Sequence, residues 1–149
     1  MIKDIINKHI IFSSINSSIK DISKLMNEHN IGFIPIVDND KYIGVVTDRD
    51  IALILPLINN VNDSIKSYVK NNIILIDYTS SIDDALELMG KYKVKRLLVS
   101  DKDKIIGVIS LSDILNYSKN DNILNTYKEI FYIKDNKKYI DAEIDSFYL

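Results

Sequence analysis

The chain has 149 residues, 46% apolar and 27% charged, with a formal net charge of −2. These are globular proportions for one domain of ordinary size, and acids and bases are interspersed along the chain, which gives no basic stripe for nucleic acid and no acidic tail. There is no cysteine, which excludes disulfides, thiolate metal sites and a cysteine nucleophile and fits a reducing compartment.

The first eleven residues mix Lys3, Asp4, Lys8 and His9 among isoleucines, so they lack the apolar run of a signal peptide. No apolar run approaches the ~20 residues that span a bilayer. A cytoplasmic protein without membrane association is the expectation. The chain has 17 lysines and only two arginines, Arg49 and Arg96, so each arginine invites a reason.

In chain order, an apolar run at Ile10-Ile11-Phe12 reads as a first strand. Ser18-x-x-Asp21 then reads as a capping box that opens an amphipathic helix with Ile19, Ile22, Leu25 and Met26 on one stripe. Phe33–Val37 and Tyr42–Val46 follow, a strand pair around the polar turn Asp38-Asn39-Asp40-Lys41. A helix near Asp48–Leu55 closes the unit, and Pro56 ends or kinks it. Residues 59–64 (Asn-Asn-Val-Asn-Asp-Ser) read as a linker.

The same order then returns. A shift of 63 residues places Ser18–Ala52 on Ser81–Leu115 without a gap, with 13 of 35 positions identical. Ile73–Ile76 is the second first strand, Ser81-x-x-Asp84 the second cap, and Arg96–Val99 with Ile105–Ile109 the second hairpin. Leu111–Tyr117 is the second closing helix. The chain is therefore a duplicated β-α-β-β-α unit of α+β class: residues 1–60, then 61–119, with a C-terminal extension over 120–149. That extension reads as a short helix around Ile123–Ile130 and a strand pair around Asp135-Asn136. A unit of about 50 residues buries its own sheet face and helix stripe poorly. Two units related by a pseudo-twofold axis, sheet packed to sheet, bury them together and leave two equivalent clefts, the usual place for a small-molecule site.

Each second hairpin ends in one pattern: Gly, two aliphatics, a hydroxyl residue, two variable residues, Asp. It is Gly44-Val45-Val46-Thr47-Asp48-Arg49-Asp50 in the first unit and Gly107-Val108-Ile109-Ser110-Leu111-Ser112-Asp113 in the second. One reading is structural: Thr-x-x-Asp at a strand-to-helix junction is a helix cap, and Ser18-x-x-Asp21 has the same spacing. The other uses position. Two carboxylate oxygens at a cleft mouth match the two hydroxyls of a ribose, and a hydroxyl residue beside a helix start can meet a phosphate. The two readings are compatible.

The duplicated unit with Gly-h-h-(Thr/Ser)-x-x-Asp resembles the cystathionine-β-synthase-type (CBS) domain, which occurs in tandem pairs. Gly-Val-Val-Thr-Asp-Arg-Asp-Ile resembles short bacterial proteins that consist of little else. The resemblance covers residues 2–118. It implies that Asp50 and Asp113 hold ribose hydroxyls and that Thr47 and Ser110 assist with ribose or phosphate. The family often has His-Arg just before the second strand of a unit, where it meets phosphate. This chain has Lys95-Arg96 there in the second unit and Gly32-Phe33 in the first, which implies unequal sites. With Lys93 these residues form a basic cluster, whose plain alternative is a solvated strand entry; Arg makes two-point phosphate contacts that Lys cannot. Arg49 is also a candidate, with three roles open: pairing with an acid, meeting a ligand, or sitting at a dimer contact. Ile11 and Ile74 are candidate walls for an adenine, or ordinary core; Phe12 and Phe33 are similar. His9 and His29, far apart and without a spaced acid, read as surface residues.

The resemblance implies a non-catalytic sensor with an adenosine ligand (AMP, ADP, ATP, S-adenosylmethionine or a dinucleotide). It also implies a flat homodimer of pairs and a separate effector protein. No cofactor is required and no metal site is read, although a nucleotide can bring Mg²⁺. The competing reading is a protein-interaction module with degenerate sites, docking through Phe131, Tyr132, Tyr139, Phe147 and Tyr148. An enzyme has no support: there is no triad order, no ligand cluster and no Walker-type loop.

Overall fold

In a computed structural model the duplication appears as two three-stranded sheets with four helices. The structure describes residues 1–71 and 73–117, together with Thr126, Tyr127 and Ile130. The first unit runs β1 (Ser13–Ser14), α1 (Ile19–His29), β2 (Phe33–Asp38), β3 (Lys41–Thr47) and α2 (Asp48–Ile54). The second runs β4 (Leu75–Asp77), α3 (Ile82–Tyr92), β5 (Arg96–Asp101), β6 (Lys104–Ser110) and α4 (Leu111–Tyr117). Within the two units, the expected hairpins, helices and element order are present. Pro56 falls in a 3-10 turn, Leu55–Leu57, that ends α2.

Local chemistry accounts for the boundaries. α1 and α3 open on complete capping boxes, Ser18 with Asp21 and Ser81 with Asp84. Both close on a residue in the left-handed region, Asn30 and Lys93, at φ 50° and 55°. In each unit the central strand pairs parallel with the first strand and antiparallel with the third. The two hairpins share one register and one irregularity, at Ile36/Val37 and at Val99/Ser100.

The first strand is a correction. It lies at Ser13–Ser14, not at Ile10–Phe12, and its counterpart at Leu75–Asp77. Pro35 explains the shorter one. In the second unit Leu98 N donates to Ile74 O at 3.1 Å. Pro35 occupies the equivalent place in the first unit and has no N–H, so Ile11, the counterpart of Ile74, receives no such bond.

Each unit has its own core, but the cores do not follow chain order at their openings. A 3-10 turn at Ile2–Asp4 begins the chain, and another, Ile65–Tyr68, follows the linker. Ile2 is fully buried in the core of the second unit, with Ile76, Met89, Leu97 and Ile109. Ile65 is fully buried in the core of the first, with Ile19, Ile22, Ile34 and Val46. The opening segments are thus exchanged between the units, which ties the repeats into one body. In the C-terminal extension Thr126, Tyr127 and Ile130 are helical, Thr126 is buried, and Ile130 packs on the second core. The expected strand pair at Asp135-Asn136 and the aromatics Phe131, Tyr132, Tyr139, Phe147 and Tyr148 lie outside the described residues.

Candidate functional site

The motif strands β3 and β6 each end at a hydroxyl residue that caps the following helix. Asp50 N donates to Thr47 Oγ1 at 3.2 Å, while Thr47 N and Oγ1 donate to Asp50 Oδ2 at 3.0 and 2.7 Å. Ser110 and Asp113 repeat this: Asp113 N donates to Ser110 Oγ at 3.1 Å, and Ser110 N and Oγ donate to Asp113 Oδ2 at 2.8 and 2.5 Å. The structural reading of the motif is therefore correct as far as it goes. In each unit it occupies one carboxylate oxygen and leaves the other for a second partner.

The motif glycine has a separate reason. Gly44 and Gly107 both have negative φ, so no turn requires them. A β-carbon on Gly44 would overlap the Lys70 carbonyl, and one on Gly107 would overlap Ile6 and the Asn7 carbonyl. Each glycine lets the opening segment run close beside the motif strand. Val45 N donates to Lys70 O at 3.2 Å, and Val108 N to Asn7 O at 2.9 Å.

Among the described residues, two of the clefts between the units carry motif residues. The first, about 410 Å³, contains Thr47, Asp48 and Arg49 on one side and Ile74, Lys93, Lys95, Arg96 and Leu98 on the other, with Gly32, Phe33, Val45 and Val94. The second, about 290 Å³, contains Ser110, Asp113 and Val108 facing Ile10, Ile11, Ile31, Phe33 and Pro35, with Asn7, His9, His29 and Arg96 at its polar edge. Each motif therefore faces the apolar residue of the other unit, Thr47 with Ile74 and Asp113 with Ile11. Arg96 and Phe33 belong to both walls. Lys95 and Arg96 also line a smaller groove of about 230 Å³ with Ser110 and Ser112.

Of the nine candidate site residues, the first cleft brings together Thr47, Arg49, Ile74, Lys95 and Arg96. The second brings together Ile11, Arg96, Ser110 and Asp113. Asp50 is the departure: it is buried, 7% exposed, and lies in neither wall. Its Oδ1 accepts from Lys70 Nζ in a close ion pair. Burial pushes the Asp50 pKa up, but the hydrogen bonds from Lys70 and Thr47 outweigh it, and the net pKa lies below the usual 3.8.

Three residues escaped the sequence reading. His9 and His29 are exposed, as expected, yet both stand in the wall of the second cleft beside Asp113. Lys70 lies 20 residues from its partner, and only the shift of 63, which pairs it with Asn7, marks its position. Phe12 is exposed and meets the Tyr42 ring edge-on, with centroids 6.2 Å apart, so it is no cleft wall. Among the described residues, no group of three or more His, Asp or Glu side chains is placed to hold a metal ion. None of the described helices is long and apolar enough to cross a membrane.

Comparison with known proteins agrees with this architecture. The family model for the CBS domain matches residues 2–56 and again 65–120. The CBS domain-containing protein YhcV of Bacillus subtilis is 28% identical over 114 residues, covering 76% of this chain and 81% of that one. The uncharacterised protein MJ1232 of Methanocaldococcus jannaschii is 39% identical over 101 residues, 67% of this chain but only 33% of its own length. Among solved structures, the CBS domain pair of protein MJ0100, in complex with 5′-methylthioadenosine and S-adenosyl-L-methionine, superposes with a TM-score of 0.70 at 29% identity. The match covers 78% of this chain and 94% of that one.

Proposed function

The chain belongs to the CBS domain family, as a tandem pair, and from that premise we propose that it is a non-catalytic sensor of an adenosine-containing ligand. The observation that carries the reading is the second cleft. It sets the Ser110–Asp113 pair opposite an apolar wall of Ile11, Ile31, Phe33 and Pro35, with Arg96 at its edge. A nucleoside needs a flat apolar slot for its base and an acceptor pair for its ribose hydroxyls, and a phosphate favours a planar two-point donor. The pair from MJ0100 holds adenosine compounds of this kind.

A ligand bound across both units changes their relative stability only through its different affinity for their two arrangements. A separate protein then reads that change. The exposed apolar side chains of α2 and α4, Leu53, Leu115 and Tyr117, favour a homodimer of pairs as the unit that responds. Light scattering of the purified protein at micromolar concentration tests the dimer.

The ligand is tested by a thermal-shift panel of AMP, ADP, ATP, S-adenosylmethionine, NAD and cyclic di-AMP. A ligand that binds only the folded chain stabilises it by about 2.7 kcal/mol at a hundredfold excess over its Kd. A clear shift that disappears in Asp113→Ala supports the reading. No shift with any of the six at millimolar concentration transfers the case to a protein-interaction module.

A further inference from the structure

The opening segments occupy equivalent places beside the two motif strands. Lys70 O lies on Val45 N and Asn7 O on Val108 N, and the shift of 63 carries Asn7 onto Lys70. The backbone geometry is shared and the side chain is not. Lys70 reaches across the motif and donates to Asp50 Oδ1. Asn7 turns onto its own segment, where its Oδ1 accepts from His9 N at 2.9 Å. Asp50 consequently has Thr47 on one oxygen and an ammonium on the other, and it lies outside the cleft wall. Asp113 stands in its cleft wall, and among the described residues its Oδ1 accepts from no donor.

We propose that Lys70 is a specificity-determining residue: it withdraws Asp50 from the first cleft, so that Asp113 alone reads a ligand's hydroxyl pair. The first cleft is left to the anionic part of a ligand: among the described residues its wall holds the cations Arg49, Lys93 and Arg96 beside the acid Asp48. The inference rests on the adenosine-ligand reading above and divides its two clefts by chemistry. A diol that enters the first cleft must displace a charge-assisted hydrogen bond before it can meet Asp50. Lys70 is 57% exposed, so its head group can move into water, and the effect is a strong bias between the clefts rather than a block.

Calorimetric titration with adenosine tests this, because adenosine carries no charge for Lys70 to attract. The native chain takes up adenosine at one site, and Asp113→Asn abolishes that site. Adding Lys70→Asn, which installs the second unit's residue, restores adenosine binding in the Asp113→Asn background by at least tenfold. Lys70→Ala does the same if Asn itself caps Asp50. Unchanged affinity in both double variants, or two equal adenosine sites in the native chain, would overturn the role of Lys70.

A readout without ligand separates this from the broader reading. In Lys70→Asn the NMR titration of the Asp50 carboxylate moves upward; a titration that stays in place removes the ion pair and the proposal with it. Failure of the native chain to bind adenosine and AMP, with that upward shift present, would overturn the adenosine reading instead.

Discussion

The two motif carboxylates stand on one scaffold and face different things. Asp50 is buried with an oxygen on Thr47 and an oxygen on Lys70, whereas Asp113 makes the same cap and stands in a cleft wall. Strand register, the irregularity in the central strand and the close approach at the glycine are shared. At the second carboxylate oxygen the difference is one side chain, Lys70 against Asn7, brought in by a segment that precedes the other unit's first strand. Duplication conserves backbone geometry because packing enforces it, and it leaves edge positions such as Asn7 and Lys70 free to diverge. The chemistry of a cleft is then decided where packing is least demanding.

The largest expected effect tests the exchange of opening segments on which this comparison depends. Ile2 and Ile65 are both fully buried, each in the core of the other unit. Ile2→Ala and Ile65→Ala should each cost about 2–4 kcal/mol, since each leaves a cavity in a packed core. Urea unfolding reads the loss. A cost below about 1 kcal/mol at either position is a surface value and would break the picture of two interlocked cores.

The next effect separates the carboxylates. Asp50→Ala should cost about 2 kcal/mol, because it removes a cap together with the charge-assisted hydrogen bond that the buried carboxylate accepts from Lys70. Asp113→Ala should cost about 1 kcal/mol, the value of a cap alone. Affinity for an adenosine ligand should follow the opposite order, with the larger loss in Asp113→Ala. Equal stability losses by thermal melting would erase the difference between the two sites.

Acid sharpens the same contrast. The Asp50 pKa lies below the usual 3.8 in the folded chain, held there by Lys70 and Thr47 against the cost of burial. The unfolded chain therefore takes up this proton first as pH falls. The contribution of Asp50 to stability is complete above the unfolded value, and it is lost as pH drops through 3.8 toward the folded value. Asp21, Asp77 and Asp84 are lowered in the same direction by hydrogen bonds from Ser18, Thr79 and Ser81, so the chain as a whole should weaken there. Asp50→Asn should flatten the acid limb of the stability curve; an unchanged slope would remove Asp50 from it.

The smallest effect lies at the mouth of the first cleft. Lys93 ends α3 in the left-handed region, where Asn30 ends α1. Asn tolerates that conformation and Lys is strained in it, so Lys93→Gly should stabilise the chain by about 1 kcal/mol. It should also weaken anion binding in the first cleft. Stabilisation with no change in anion affinity would take Lys93 out of the cleft's chemistry.

Much of this molecule was legible in its residues. The shift of 63 revealed the duplication, because whole turns of helix and whole hairpins repeat with their caps and polar turns. The motif placed Thr47 and Ser110 at strand ends and Asp113 in the first turn of the helix that follows, and the Lys95-Arg96 pair reaches the first cleft. The first strand was misread because Ile10 and Ile11 are apolar for another reason: they form the wall of the second cleft, while Pro35 denies Ile11 a ladder partner. The exchange of Ile2 and Ile65 left no periodic signal, since a turn of three or four residues is too short to show one. Lys70 and the two histidines meet residues far away in the chain, at separations that no local pattern encodes.

The most direct test of the central claim follows backbone amides of both units in one labelled sample during addition of AMP. Ile11, Ser110 and Asp113 should respond at lower AMP concentration than Thr47 and Ile74. Amides that respond first at Thr47 and Ile74, or that show no response in either cleft at millimolar AMP, would contradict it.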